Sequence, residues 1–148
     1  MSEAQQTFAI EKLYVKDVSL EMPNAPQVFF ESDAPQVDVQ LNTEAVPVRD
    51  DLYEVRLTST ITATRGEKTV FLVEATQAGL FRITGVPQEH MEQMLAITCL
   101  DILFPYLRNI ISDTVTRAGF PPVVLNPMNF RALYEQGQKQ LAEAKAAH

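Results

Sequence analysis

At 148 residues with 46% hydrophobic side chains, the chain suits one domain with a modest core and is too apolar to be disordered by composition. Twelve basic against nineteen acidic residues leave a net charge of −7, with no Lys/Arg cluster beyond a pair. Nucleic acid and anionic membrane surfaces reward positive charge, so both are poor partners and a basic one is favoured.

Met1-Ser2-Glu3-Ala4-Gln5-Gln6 lacks the positive region and apolar run of a secretion signal. No apolar run approaches the roughly 20 residues that cross a bilayer, so no membrane insertion and a soluble, cytoplasmic protein are expected. Residues 8–21 then read as a strand, with Phe8, Ile10, Tyr14, Val18 and Leu20 on one parity, interrupted by Lys12 and Lys16. Asp17, Ser19 and Glu21 occupy the other parity and make that face acidic. Pro23 and Pro26 stop the strand, and Pro35 lies further along an irregular connection that carries Val28-Phe29-Phe30. Those three residues fit a core plug or a binding lip equally well.

Val37, Val39 and Leu41 alternate with Asp38, Gln40 and Asn42, a short second strand. Asp50-Asp51 reads as a solvated turn before the third. There Tyr53, Val55, Leu57, Ile61 and Ala63 face one way, while Glu54, Arg56, Thr58, Thr60, Thr62 and Thr64 face the other. Arg65-Gly66-Glu67 is a hairpin turn in which Gly66 is free to take positive φ. The fourth strand, from about Lys68 to Ile83, is apolar on both parities, with Phe71, Val73, Ala75 and Phe81 on one side and Val70, Leu72, Ala78 and Leu80 on the other. Such a strand is covered on both faces, so oligomerisation competes with simple burial as the explanation.

The rest reads as helical. Met91, Met94, Leu95, Thr98 and Ile102 keep helical spacing, Pro105 is expected to kink or divide the segment, and Leu107, Ile110, Ile111 and Val115 continue the stripe. Gly119-Phe120-Pro121-Pro122 ends it. Asn126 before Pro127 is a cap and first-turn pair for a last helix with Phe130, Leu133, Tyr134 and Leu141 on one side. Gly137 weakens that helix, and fraying is expected from about Ala142. No internal repeat and no second domain are visible.

Catalytic chemistry is poorly represented. His90 and His148 are the only histidines and Cys99 the only cysteine, with no histidine near it in sequence. No zinc spacing, phosphate loop or nucleotide fingerprint occurs, and Gly79 and Gly85 fit tight sheet geometry better than phosphate binding. The expectation is a protein that is not an enzyme and uses no cofactor or metal of its own.

Several blocks carry a family resemblance. Tyr14-Val15-Lys16-Asp17-Val18-Ser19-Leu20-Glu21-Met22-Pro23-Asn24-Ala25-Pro26, Asp51-Leu52-Tyr53-Glu54-Val55, Gln77-Ala78-Gly79-Leu80-Phe81-Arg82-Ile83-Thr84-Gly85, Phe104-Pro105-Tyr106 and Asn129-Phe130 follow in order. Over roughly residues 8–136 they resemble the SecB bacterial export chaperones. The resemblance implies an α+β fold, a four-stranded antiparallel sheet with helices packed on one face, and a homotetramer built as a dimer of dimers. It implies a holdase that binds unfolded precursor proteins, keeps them competent for translocation and delivers them to the SecA ATPase. The zinc-binding C-terminal segment of SecA would dock on an acidic sheet surface, so any zinc belongs to that partner.

By the same resemblance, SecA contacts fall on Asp17, Glu21, Leu72 and Glu74. Asp17 and Glu21 share a parity and lie about 13 Å apart at strand rise. Val73, Ala75 and Gln77 match positions that influence assembly, on the opposite parity from Leu72 and Glu74. A long apolar client groove is implied, with Val28, Phe29, Phe30, Phe104, Tyr106 and Tyr134 as its candidates. Relatives often carry tryptophan where this chain has Asp33, which replaces an aromatic contact by a charge. Two other readings stay open: a SecB-like chaperone dedicated to one partner of the toxin–antitoxin type, and a carrier of a small hydrophobic ligand.

Overall fold

A computed structural model of the chain describes residues 5–146. The sequence readings made on Met1 to Ala4 and on His148 lie outside the described residues. The elements run β1 (Thr7–Glu21), a 3-10 turn (Gln27–Phe30), β2 (Gln36–Arg49), β3 (Leu52–Arg65), β4 (Lys68–Thr84), α1 (Gln88–Gln93), a π-helical turn (Met94–Thr98), α2 (Cys99–Arg117) and α3 (Phe130–Ala146). The four strands form one antiparallel sheet in the order β1-β4-β3-β2.

The β3–β4 pair follows from alternation and a two-residue turn. Arg65 pairs with Lys68, and Gly66 takes φ 60°, a backbone state that a Cβ disfavours. Asp51 does the same at the β2–β3 turn with φ 61°, which Asp tolerates better than most residues. Along the inner face Leu57, Ile61, Phe71, Phe81 and Ile83 are fully buried against Leu103, Leu107, Ile111 and Val115 of α2. Each contributes on the order of 1.5–3 kcal/mol by leaving water.

Several local expectations are corrected. β2 is 14 residues long, not short, and runs through Pro47, which an edge strand tolerates because one side of its backbone has no ladder to break. In β1 the pairing skips Glu11 and Lys16, so two bulges reverse the parity of residues 12–15. Tyr14 therefore lies on the outer face opposite Ala78, while Leu13 and Val15 turn inward opposite Gly79 and Gln77.

Pro105 does not divide α2, which runs through it from Cys99 to Arg117. It sits on the exposed side, one turn after exposed Asp101, where a carbonyl without an N–H partner is solvated. The departure from α geometry falls earlier, in the π turn, and the helical segment Gln88–Arg117 is 30 residues long. By length and composition it is apolar enough to cross a membrane, contrary to the reading of the bare sequence, but its apolar stripe packs on the sheet. Finally, α3 is capped by Asn129, whose Oδ1 accepts the Ala132 N–H at 2.9 Å, and not by Asn126. Pro127 pushes the residue before it towards extended backbone, which moves the start downstream. The helix continues through Ala146.

Candidate functional site

The doubly apolar pattern of β4 has a local explanation. Val70 is the surplus residue of a bulge opposite Ala63 and Thr64 and joins the core with Phe71. Ala78 is covered on the outer face by its cross-strand neighbours Tyr14 and Arg56. Leu72 and Leu80 remain half-buried and Glu74 is exposed.

That outer face divides into two ends. At one end, Glu21 lies directly opposite Leu72, and Glu74 lies opposite Ser19, between Asp17 and Glu21. The backbone position of Glu74 is thus about 7–8 Å diagonally from each of those two residues. Thr60 donates to Glu74 Oε2 at 3.0 Å and orients it. Asp38, which pairs with Thr62 in the row of Leu72, extends the acidic patch across the sheet. Sequence reading passed over Asp38, although its parity on β2 already placed it there. The four residues matched to a SecA-docking surface are brought together on one face.

At the other end Glu54 is nearly buried, at 9% exposure. Tyr14 donates its hydroxyl to Oε2, Lys16 Nζ reaches Oε1 at 2.7 Å, and Arg56 Nε stands 3.2 Å from Oε1. Burial opposes ionisation of Glu54, but the hydrogen bonds from Lys16 and Tyr14 and the charges of Lys16 and Arg56 outweigh it and hold the carboxyl below its usual range. Burial, reinforced by the Glu54 carboxylate, pushes the Tyr14 hydroxyl up to about 12.

On the inner face, Val73, Ala75 and Gln77 are buried beneath the helices. Gln77, at 3% exposure, donates only a long 3.4 Å hydrogen bond to the Ala78 carbonyl. Their cross-strand partners on β1 are Leu20, Val18 and Val15. These three, with Ile10, form an apolar row that the helices leave open, at 38%, 43%, 50% and 47% exposure respectively.

Along the opposite edge of the same face runs a trough. A cleft of about 450 Å³ lies between Leu41 and Thr43 of β2, Leu100 of α2, and Phe130, Leu133, Tyr134 and Leu141 of α3. It continues past Leu95 and Ala96 of the π turn towards Ala45, and past Leu41 towards Val39, Phe104, Leu125 and Met128. Of the groove candidates, Tyr134 lines this trough and Phe104 borders it while being 7% exposed. Val28 is a correction: at 2% exposure it is spent on the core and offers no surface. Phe29 stacks on Phe120 with centroids 5.4 Å apart, and Phe120 leans on Phe71 at 5.3 Å. Phe30 stands 80% exposed, and Tyr106 is exposed on α2 outside the trough. The segment after α2 links the two regions, beginning at Phe120 beside Phe29 and continuing as Val123 to Met128 along the trough. Leu95, Leu100 and Leu133 were missed as lining because their helical spacing is equally that of a core stripe.

Cys99 is buried, which pushes its thiol up to about 12 and leaves it un-ionised at neutral pH. His90 is exposed at the start of α1, and among the described residues no group of three or more His, Cys, Asp or Glu could hold a metal ion.

A family model described as preprotein translocase subunit SecB matches residues 1–141. A protein of Thiobacillus denitrificans named protein-export protein SecB is 54% identical, with 100% of both chains covered. One of the same name from Dechloromonas aromatica is 56% identical over 96% of this chain and 93% of its own. Among solved structures, the SecB-like chaperone Rv1957 of Mycobacterium tuberculosis, in complex with a ChAD peptide from the Rv1956 HigA1 antitoxin, superposes with a TM-score of 0.67. It covers 82% of this chain and 91% of its own at 17% identity, a likeness of fold alone.

Proposed function

The chain belongs to the SecB family of preprotein translocase subunits, and on that premise we propose how it performs its chaperone function in protein export. Unfolded precursor segments are held in the apolar trough beside β2, in the cytoplasm, and are passed to SecA docked on the acidic end of the sheet's outer face. The observation that carries this reading is the trough itself, an apolar channel bordered by a strand whose outer edge is unpaired. Apolar burial is non-directional, at roughly 25 cal/mol per Å², so it accepts many sequences. Backbone pairing to the free edge of β2 adds affinity that no side chain dictates.

Asp17, Glu21, Leu72 and Glu74 provide three carboxylates around a half-buried leucine, which suits a basic, metal-bearing module. Among the described residues none of the three carboxylates is engaged in an ion pair. Assembly as a dimer of dimers covers the open row Ile10, Val15, Val18 and Leu20. Val73, Ala75 and Gln77 influence it from beneath, because they set the height of their β1 neighbours Leu20, Val18 and Val15 on the sheet.

Light-scattering mass, measured alone and with an equimolar slow-folding precursor or its folded form, tests this function. A tetramer that retains only the unfolded chain is expected. A monomer, or a tetramer indifferent to folding state, refutes it.

A further inference from the structure

Phe30 presents a physical problem. A free loop carrying so exposed a phenylalanine would fold the ring onto the nearest apolar surface, because water contact is unfavourable. Here the segment is bolted down around it. Asn24 Nδ2 donates to the Thr69 carbonyl at 2.9 Å, Val28 is sunk in the core, and Phe29 is stacked on Phe120. The strongest bolt is Arg65, the last residue of β3, whose side chain is 12% exposed. Its Nη1 donates to the Val28 carbonyl at 2.6 Å and its Nε to the Asp33 carbonyl. Glu31 stands 3.7 Å from the same guanidinium and is shared with Lys68 at 3.9 Å. The cation thus sits at the carbonyl end of the 3-10 turn, where helix polarity favours it, and its planar fork spans carbonyls five residues apart.

We propose that Arg65 is a positioning residue for client capture: by clamping residues 28–33 to the β3–β4 hairpin it holds the Phe30 ring out as a pre-formed contact for unfolded polypeptide. This rests on the reading of Phe30 as part of the client site. Pre-organisation raises affinity by removing the ordering cost at the moment of binding.

The test is a double-mutant cycle of Arg65→Met, which keeps the apolar stem, with Phe30→Ala in the full-length protein. The probe is reduced, carboxymethylated lactalbumin, a permanently unfolded chain, and backbone amide exchange over 27–34 is followed in parallel. Arg65→Met is expected to weaken probe binding on the order of tenfold, to speed exchange in 27–34 alone, and to add nothing once Phe30 is alanine. Additive losses in the double variant, or unchanged exchange over 27–34, overturn the proposal. Should Arg65→Met fail to fold, Arg65→Lys, which keeps the charge but cannot fork between both carbonyls, carries the same cycle. A wild-type protein that ignores the probe defeats the chaperone reading itself. A wild-type protein that binds it no more tightly than Phe30→Ala does defeats Phe30 as a client contact, and with it the role of Arg65, while leaving the chaperone reading intact.

Discussion

Removing a single oxygen, by Tyr14→Phe, probes the polar cluster on the sheet's outer face. The ring keeps its place over Ala78, so little apolar burial changes. What disappears is the hydrogen bond to Oε2 of Glu54, a residue only 9% exposed whose carboxylate still faces Lys16 and Arg56. A hydrogen bond to a charged group contributes about 1.5–3 kcal/mol. Because Tyr14 is itself half-buried, water can partly re-enter, and the expected loss at pH 7 is about 1.5 kcal/mol, the lower end of that range. The pH dependence carries the stronger test. The folded Glu54 carboxyl lies below its unfolded value, so its contribution is complete above that value, about pH 4.3, and is lost as pH falls through the folded one. The folded Tyr14 hydroxyl is raised to about 12, so its contribution is complete below its usual value of 10 and is lost as pH rises through about 12. Urea unfolding at fixed protomer concentration measures both limbs, since assembly shifts apparent stability. An equal loss at pH 7 and well below pH 4, or a loss under about 0.5 kcal/mol at pH 7, refutes the reasoning.

Gly119→Ala places a Cβ 3.0 Å from Phe29 Cε1 at φ +92°, whereas Gly66→Ala meets nothing within 4 Å at φ +60°. Both lose about 1–2 kcal/mol to left-handed strain, and chemical denaturation should find the Gly119 variant worse by the added displacement of Phe29 from Phe120. Cys99, buried and un-ionised, should react with a maleimide at pH 8 only as fast as the protein opens, and rapid labelling of the native state contradicts its burial. Glu74→Lys and Asp17→Lys should each abolish SecA binding in titration calorimetry while leaving the oligomeric mass unchanged. Asp38→Lys should weaken it less, and unaltered affinity in all three removes the docking patch from this face.

Regular alternation made much of the fold legible in advance. β3 and the Gly66 turn follow directly from a period of two and one permissive glycine. Tyr14 was assigned to the wrong face because parity counting assumes an unbroken pleat, and bulges are invisible to it. Pro105 was expected to kink or divide a helix that in fact runs through it, since a proline signals a missing N–H and not whether water can satisfy the freed carbonyl. The acidic patch was legible once Asp17, Glu21, Leu72 and Glu74 had been matched to a family, and pairing then added Asp38. The trough was less so. Helical spacing of Leu95, Leu100 and Leu133 reads identically whether a stripe meets a sheet or an open channel, and only the excess width of the sheet over its helices separates the two.

The two bulges of β1 also decide how far that strand can slide. A slip by two residues would keep every side chain on its own face, so hydrophobic patterning alone does not forbid it. Each surplus residue carries a charge seated on the sheet, however: Glu11 on Arg82 at 2.7 Å and Lys16 on Glu54 at 2.7 Å. A shifted strand would carry both charges away from their counter-ions at once, so the pair works as a ratchet with one resting notch. A deletion of either residue would leave the rows of the strand intact yet release that notch, turning a fixed edge into one with alternative alignments.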